Sequence, residues 1–184
     1  MMVRLETERL IIRRWKPEDL DSFAALCADP EVMEHFPATL SRQETQSLID
    51  RMNTNHNKDG YSFMACELKS TGDFIGFVGL SYFTQETHFS PCVEVGWRLH
   101  KRFWGQGYAP EGAKAVIKYA FEVLKVPEVI AMTAVGNLNS RRVMEKIGMT
   151  YNPQDDFDHP KVEDGHRLKR HVLYRIKPGQ LKNE

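Results

Sequence analysis

The chain has 184 residues, of which 41% are hydrophobic and 27% are charged, and its formal net charge at pH 7 is zero. This length and composition predict one globular domain over residues 1–184 that is large enough to bury a full core. The balanced charge gives no reason to expect a nucleic acid partner. Charged residues interrupt the N-terminal segment, and no apolar run approaches the roughly 20 residues needed to cross a bilayer. We therefore expect a cytoplasmic protein that does not bind membranes.

The first third of the chain predicts one strand and three helical segments. Residues 10–14 predict a strand, and Pro17 followed by acidic residues predicts a helix over 17–28. Residues 31–35 predict a short further helical segment. Ser41 and Glu44 have the spacing of a capping box, which predicts the start of a helix that ends within residues 55–60.

The rest of the chain predicts five more strands and two more helices. Residues 62–68 and 74–83 predict an antiparallel pair of strands, and residues 93–99 alternate between apolar and polar as a half-buried strand does. The other predicted elements are an amphipathic helix over 108–124, a buried strand over 129–135, a helix that begins near Asn137 and stops at Gly148, and a final strand over 171–176.

The cysteines and histidines show no pattern of a metal site. Cys27, Cys66 and Cys92 are odd in number and widely spaced, which predicts neither a zinc site nor a disulfide framework. We expect no metal.

The segment between the strand 93–99 and the helix 108–124 has the features of a phosphate site. Gly105 and Gly107 would let the backbone approach a ligand closely, and the first N–H groups of the helix have no partner within the helix. The cationic side chains of Lys101 and Arg102 would add positive charge. Taken alone, the segment fits a tight turn without chemical meaning equally well.

Four stretches of the chain together resemble the GNAT superfamily of acetyl-CoA-dependent N-acetyltransferases. They are LETERLIIRRW, DFIGFVGL, VEVGWRL followed by WGQGYAPEGAKAVIKYAF, and NLNSRRVMEKIGM, in this order over residues 5–149. Within the superfamily the chain is most similar to the group that acetylates the amino termini of ribosomal proteins. The resemblance implies the GNAT fold of the α/β (α+β) class, with a mixed, mostly antiparallel twisted sheet of six to seven strands and helices on both faces.

The resemblance also implies where acetyl-CoA, the cosubstrate, would bind. The family's diphosphate signature, Gln/Arg-x-x-Gly-x-Gly/Ala, falls on residues 104–109, where Trp104 departs from the pattern, and Arg102 offers a second register. A backbone N–H near Leu99 would stabilise the oxyanion. The implied cofactor-binding residues are Leu99, Lys101, Arg102, Trp104, Gly105, Gln106, Gly107, Tyr108, Ala109 and Asn137.

The candidate catalytic residues are Ser140, which the resemblance implies, and Glu94, which is chosen for its place on the central strand opposite Trp97. Many members carry a tyrosine in the last helix that protonates the departing thiolate, and this chain has Met144 there. Ser140, one turn earlier, is the substitute acid, or else it only starts the helix. Glu94 would accept the proton of the amine, or else it is an ordinary carboxylate on an exposed strand face.

The predicted reaction is transfer of acetyl from acetyl-CoA to a primary amine by direct attack. An α-amino group near pKa 7.7–8 loses its proton at pH 7 for about 1 kcal/mol, whereas a lysine amine near pKa 10.4 needs about 4 to 5 kcal/mol. Without a strong base, the N-terminal α-amino group of a protein is the favoured acceptor.

Two other functions stay open. One is acetylation of a small amine such as a polyamine, an aminoglycoside or an amino acid. The other is binding of acetyl-CoA without catalysis, which Met144 would suit. The acidic loop within residues 155–164 would attract a cationic acceptor, or is simply solvated. We expect a monomer or a homodimer.

Overall fold

The computed structural model describes residues 4–182. Within that range the chain forms nine strands and four α-helices. The strands are β1 (Arg4–Glu6), β2 (Leu10–Arg13), β3 (Phe63–Leu68), β4 (Phe74–Phe83), β5 (Cys92–Leu99), β6 (Val129–Ala134), β7 (Thr150–Tyr151), β8 (Phe157–Asp158) and β9 (Arg170–Ile176). The helices are α1 (Asp19–Ala28), α2 (Arg42–Asp59), α3 (Tyr108–Glu122) and α4 (Leu138–Ile147).

All nine strands belong to one mixed sheet. Its order is β1-β2-β3-β4-β5-β6-β9-β7, with β8 also paired to β9, and every pairing is antiparallel except that of β5 with β6. The predicted mixed, mostly antiparallel sheet is therefore confirmed. The six strands of four or more residues match the predicted number, and the short strands β1, β7 and β8 are additional.

Helices cover the sheet on both faces because its strands alternate between two cores. Met64 and Cys66 of β3 pack in the core that contains the buried face of α3, whereas Ala65 between them packs in the core with Phe23 of α1 and Ile49 of α2. Each face thus buries apolar side chains, which is the main stabilising contribution in such a layered fold.

The parallel pair at the centre of the sheet is paired over two residues only. Val93 faces Val129 and Glu94 faces Ile130, and beyond this point β5 stays paired with β4 as far as Leu99 while β6 stays paired with β9 as far as Ala134. The edges of β5 and β6 that face each other are therefore unpaired beyond Glu94. The separation leaves a gap in the middle of the sheet.

Several local predictions differ from the structure. Residues 31–35 form hydrogen-bonded turns rather than a helical segment, with Met33 N bonded to Asp29 O at 3.0 Å and Phe36 N to Met33 O at 2.9 Å. The capping box of α2 is confirmed, and α2 ends at Asp59, within the predicted range, whereas α1 begins at Asp19, two residues after the predicted start at Pro17.

No helix within residues 4–182 is long and apolar enough to cross a membrane.

Candidate active site

A cavity of about 500 Å³ lies where β5 and β6 separate. Its walls come from the second half of β5, the start of α3, the end of β6, α4, and the turn after α1. Side chains from both faces of the sheet take part, since Leu99 and Arg98, neighbours on β5, both line it. The cavity has the size of a small-molecule site. It can hold one substrate on the α3–α4 side and a second on the α1–α2 side.

The N-terminus of α3 faces this cavity. Gly105 (φ +72°) and Gly107 (φ +84°) both have left-handed backbone conformations, which glycine adopts without strain. Gly107 is the N-cap residue of α3, and it has no side chain that could accept from the first N–H groups of the helix. Gly107, Tyr108 and Ala109 line the cavity. Free backbone N–H groups and the positive end of the helix dipole therefore stand at the cavity wall, as the sequence predicts for a phosphate site.

A contact with the start of the chain fixes the first turn of α3. The carboxylate of Glu111 accepts hydrogen bonds from the Arg9 backbone N at 2.9 Å and from Arg9 Nε at 2.7 Å. Arg9 Nη1 also donates to the Gln106 carbonyl at 3.0 Å, and its guanidinium lies 4.5 Å from the Tyr108 ring centre. These contacts hold the glycine turn in place.

Trp104 closes the turn over the end of β5. Its indole N–H donates to the Leu99 carbonyl at 2.9 Å. Trp104 and Leu99 both line the cavity. A tryptophan at the first signature position is thus compatible with the turn, because its side chain bonds to the strand end.

Three predicted cofactor residues are not among the described residues that line the cavity: Lys101, Arg102 and Gln106. Lys101 Nζ instead pairs with Glu31 at 2.9 Å and Asp29 at 3.3 Å. Gln106 Nε2 donates to the Arg102 carbonyl at 2.9 Å. Lys101 thus does not line the cavity in this structure, because it pairs with two carboxylates after α1, and its part in cofactor binding stays a prediction.

Two cations on α4 line the cavity instead. Arg142 and Lys146 are exposed side chains four residues apart, hence on one helix face. The sequence carries this signal in the spacing of the two cations within NSRRVMEK, but the basic pair Lys101 and Arg102 lies nearer to the glycine turn along the chain.

The start of α4 places Ser140 at the cavity through Asn137. Asn137 caps the helix, with its Oδ1 accepting from Ser140 N at 3.2 Å. Its Nδ2 donates to Thr133 Oγ1 at 2.8 Å and to Ser140 Oγ at 3.2 Å. Since Ser140 Oγ accepts that bond, its own hydrogen stays available for donation into the cavity. Met144, one turn further on, also lines the cavity and has no proton to give.

Glu94 lines the same cavity from β5. Burial raises the pKa of its carboxyl group from 4.5 to about 7. Such a shift keeps about half of the group protonated near neutral pH, which suits a group that exchanges protons with a substrate.

The α1–α2 end of the cavity contains side chains that the sequence did not single out. Phe36 comes from the turn after α1, Phe63 from β3, Phe77 from β4 and Arg98 from β5. They form an aromatic wall with one guanidinium. Their positions on four separate segments explain why no local pattern groups them.

The acidic loop after α4 is already paired with cations. Asp155 pairs with Arg175 at 2.9 Å, Asp158 with Arg170 at 3.3 Å and Asp164 with Lys169 at 3.0 Å. Of the described residues that line the cavity, none comes from this loop. The geometry therefore gives no support to an attraction of cationic acceptors by the loop.

Parted central strands with a helix N-terminus beside the gap can hold an anionic cofactor next to a second substrate. Residues 9–150 match the family described as the acetyltransferase (GNAT) domain. The chain belongs to this family, and it is an acetyl-CoA-dependent acyltransferase that acetylates an amine.

Individual proteins and solved structures are similar to this chain over most of its length. The uncharacterized protein YkkB of Bacillus subtilis is 32% identical over 150 residues, which cover 81% of this chain and 86% of YkkB. The crystal structure of an acetyltransferase from Agrobacterium tumefaciens is similar with a TM-score of 0.76 and 26% identity, over 96% of this chain and 95% of the other. The structure of RimL, titled a ribosomal L7/L12 alpha-N-protein acetyltransferase in complex with coenzyme A, shares the fold at 13% identity and a TM-score of 0.74, over 93% and 95% of the two chains.

Among residues 4–182, no group of three or more His, Cys, Asp and Glu side chains is arranged to hold a metal ion.

Proposed function

We propose that the protein acetylates the N-terminal α-amino group of a protein by direct attack of the amine on the thioester of acetyl-CoA. The observation that carries the proposal is Glu94, which lines the same cavity as the α3 N-terminus and has a pKa of about 7. A base of that strength deprotonates an α-amino group near pKa 7.7–8 at a cost of about 1 kcal/mol, but a lysine amine only at about 4 to 5 kcal/mol. The shared fold of RimL, titled an alpha-N-protein acetyltransferase, supports the same acceptor.

The cofactor would lie on the α3–α4 side of the cavity. The N–H groups that begin α3, together with the turn at Gly105 and Gly107, would bind the diphosphate. Arg142 and Lys146 would add positive charge from α4. Of the other implied residues, Leu99, Trp104, Tyr108, Ala109 and Asn137 line the cavity and remain in the proposed site.

Residues on both sides of the gap would carry out the catalytic steps. Glu94 takes a proton from the amine, which then attacks the thioester carbonyl. A backbone N–H on the unpaired edge of β5 near Leu99 stabilises the oxyanion. The Ser140 hydroxyl, held by Asn137, gives its proton to the departing thiolate and receives in turn the second proton that the attacking amine loses as the amide forms.

The placement of the cysteines supports direct attack rather than an acyl-enzyme. Among the described residues that line the cavity there is no cysteine. Burial also raises the pKa of the Cys66 thiol and of the Cys92 thiol, each to about 12, which disfavours the reactive thiolate.

Removing the two cations of α4 is expected to weaken cofactor binding. The double variant Arg142→Ala, Lys146→Ala should raise the Kd of acetyl-CoA about tenfold, because each exposed charge contributes modestly to binding a phosphate. Isothermal titration calorimetry measures the Kd at low and high salt. The control Lys118→Ala removes an exposed cation of α3 that pairs with Glu122, and it should bind as the parent does. An unchanged Kd in the double variant would place the phosphates elsewhere.

The acceptor is tested with two peptides of one sequence. One has a free α-amine and an acetylated lysine, and the other has an acetylated N-terminus and a free lysine. We expect kcat/KM at pH 7.5 to be at least about 100-fold higher for the first peptide, from the difference in amine pKa. Preference for the second peptide, or for spermidine or kanamycin, would overturn the N-terminal assignment. Tight binding of acetyl-CoA without turnover of any amine would favour the non-catalytic alternative.

The remaining predictions concern the protein as a whole. A single domain, a cytoplasmic location and a monomeric or homodimeric state stay predictions. The free thiols of Cys27, Cys66 and Cys92 suit a reducing compartment.

A further inference from the structure

Arg98 is a cation in the cavity wall, and no carboxylate within residues 4–182 forms an ion pair with it. Its guanidinium lies between two aromatic rings, 4.1 Å from the ring centre of Phe36 and 5.3 Å from that of Phe77. Nη1 donates to Sγ of Cys27 at 3.4 Å, and Nε is buried with no hydrogen-bond partner in the described part of the chain. The aromatic faces stabilise the positive charge but accept none of its in-plane hydrogens.

Two other arginines of the fold that are buried or half-buried do have carboxylate partners. Arg13 pairs with Asp19 at 2.8 Å and with Glu67 at 2.7 Å. Half-buried Arg175 pairs with Glu128 at 2.7 Å and with Asp155 at 2.9 Å. Buried charges in proteins are normally paired in this way. Arg98, which faces the cavity, is the exception among these three.

Nearby groups of the chain do not neutralise Arg98. The Cys27 thiol is neutral, since burial raises its pKa. Glu31 is paired with Lys101 at 2.9 Å. Glu34 has a side chain that is 62% exposed and points to His35 at 3.8 Å. The charge of Arg98 is therefore not neutralised within residues 4–182, and the part of its guanidinium that borders the cavity can bind an anionic ligand.

Arg98 and Glu94 stand on the same face of β5. They are four residues apart, and side chains of a strand alternate, so both project toward the α1–α2 side. Their Cα atoms are separated by about 13 Å, the rise of four strand residues. Both residues line the same cavity, so one acceptor that carries an amine and an anionic group can contact both.

We propose that Arg98 binds a carboxylate of the acceptor, so that the acceptor carries an anionic group besides the amine that is acetylated. The proposal deepens the proposed function and rests on it, because it places the acceptor amine at Glu94. Guanidinium matches carboxylate geometry with two parallel hydrogen bonds, and the pair gains strength in a partly desolvated cavity. The carboxylate belongs either to an acidic first side chain of a peptide or to the α-carboxylate of a free amino acid.

Two matched pairs of acceptors separate these sources. The first pair is a tripeptide amide that begins with glutamate and one that begins with glutamine. The second pair is alanine and alaninamide. We expect a preference of about 10- to 100-fold in kcat/KM for the carboxylate member of one pair, expressed mainly in KM. The pair that shows the preference identifies the source of the carboxylate.

Substitution of Arg98 tests whether the preference comes from this side chain. Arg98→Gln keeps polar atoms but removes the charge, and it should reduce the preference to about twofold or less. Arg98→Lys keeps the charge but cannot donate the two parallel hydrogen bonds of a guanidinium, and it should retain an intermediate preference. The control Arg42→Gln removes an exposed arginine that pairs with Asp21, and it should keep the full preference. Calorimetry with acetyl-CoA verifies that each variant is folded.

The outcomes distinguish this proposal from the proposed function. Acetylation of α-amines with no preference in either pair, or a preference that persists in Arg98→Gln, overturns the role of Arg98 alone. If no α-amine is acetylated, the proposed function fails. A binding measurement then tests whether Arg98 still holds a carboxylate. In that case the N-acetylated glutamate and glutamine peptides are titrated into protein saturated with coenzyme A. Equal affinity within this pair, and within the pair of N-acetylalanine and N-acetylalaninamide, for the parent protein would overturn the carboxylate site.

Discussion

Replacing Glu94 by glutamine is expected to lower kcat/KM for acetyl transfer by at least about 100-fold without unfolding the protein. A positioned general base contributes about 10²- to 10⁴-fold to a rate, and glutamine has the same shape but accepts no proton. The pKa of Glu94, about 7, should appear as a rise in kcat/KM with pH near neutrality. Steady-state kinetics with the α-amine peptide between pH 5.5 and 9 measure both effects. In the variant only the rise that belongs to the acceptor amine, near pH 7.7–8, should remain.

Glu94→Gln should lower the rate of acetyl transfer but raise the stability of the protein at pH 8. A lower rate with a higher stability shows that the variant has lost activity without losing its fold. Burial raises the pKa of Glu94 from 4.5 to about 7, so the folded state binds its proton more tightly than the unfolded state. The stabilising contribution of the proton is complete below pH 4.5 and is lost as the pH rises through 7. Above that pH the folded protein carries a buried charge that glutamine lacks. Glu94→Gln should therefore be more stable than the parent at pH 8, by at most about 3 kcal/mol.

Urea unfolding at pH 5 and pH 8 measures this stability difference. The control Glu122→Gln lies on exposed α3 surface, 3.9 Å from Lys118, and should change neither rate nor stability. A Glu94→Gln enzyme within tenfold of the parent rate would assign proton removal to another group or to water.

The sequence predicts best those features that depend on neighbours along the chain. The capping box of Ser41 and Glu44 and the cap of α4 by Asn137 are satisfied within one helical turn, and both are present in the structure. The strand that carries Glu94 follows from alternation, and the start of α3 follows from its glycines. The short strands β7 and β8 were missed because two residues are too few to show any alternation.

The site residues that were misplaced or missed depend on distant partners. Lys101 turns away from the cavity because Asp29 and Glu31, about 70 residues earlier, lie within reach of its amine. The role proposed for Arg98 depends on its contacts with Phe36 and Phe77 and on a carboxylate of the acceptor. No periodicity or spacing in the sequence records contacts of this kind. They follow only from the way the turn after α1 packs over β5.

Arg13→Met is expected to cost about 3 to 5 kcal/mol of stability, because it leaves the buried carboxylate of Asp19 without its cation. Arg13 is 8% exposed and Asp19 3% exposed. The guanidinium binds both oxygens of Asp19, at 2.8 and 2.9 Å, and donates to Glu67 at 2.7 Å. Urea unfolding measures the loss. The control Arg42→Met breaks an exposed pair with Asp21, which should cost no more than about 1 kcal/mol.

The ion pair of Arg13 also connects stability with the acceptor site. It fastens the first residue of α1 to β2, and the turn that leaves α1 brings Phe36 against Arg98. In Arg13→Met we therefore expect the KM of a carboxylate acceptor to rise more than the Kd of acetyl-CoA, whose proposed site rests on α3 and α4. The double variant Arg13→Met, Asp19→Leu should recover part of the stability, since it removes the unpaired buried charge. A loss below about 1 kcal/mol in Arg13→Met would mean that water replaces the guanidinium at Asp19, and that the hydrophobic core alone holds α1 on the sheet.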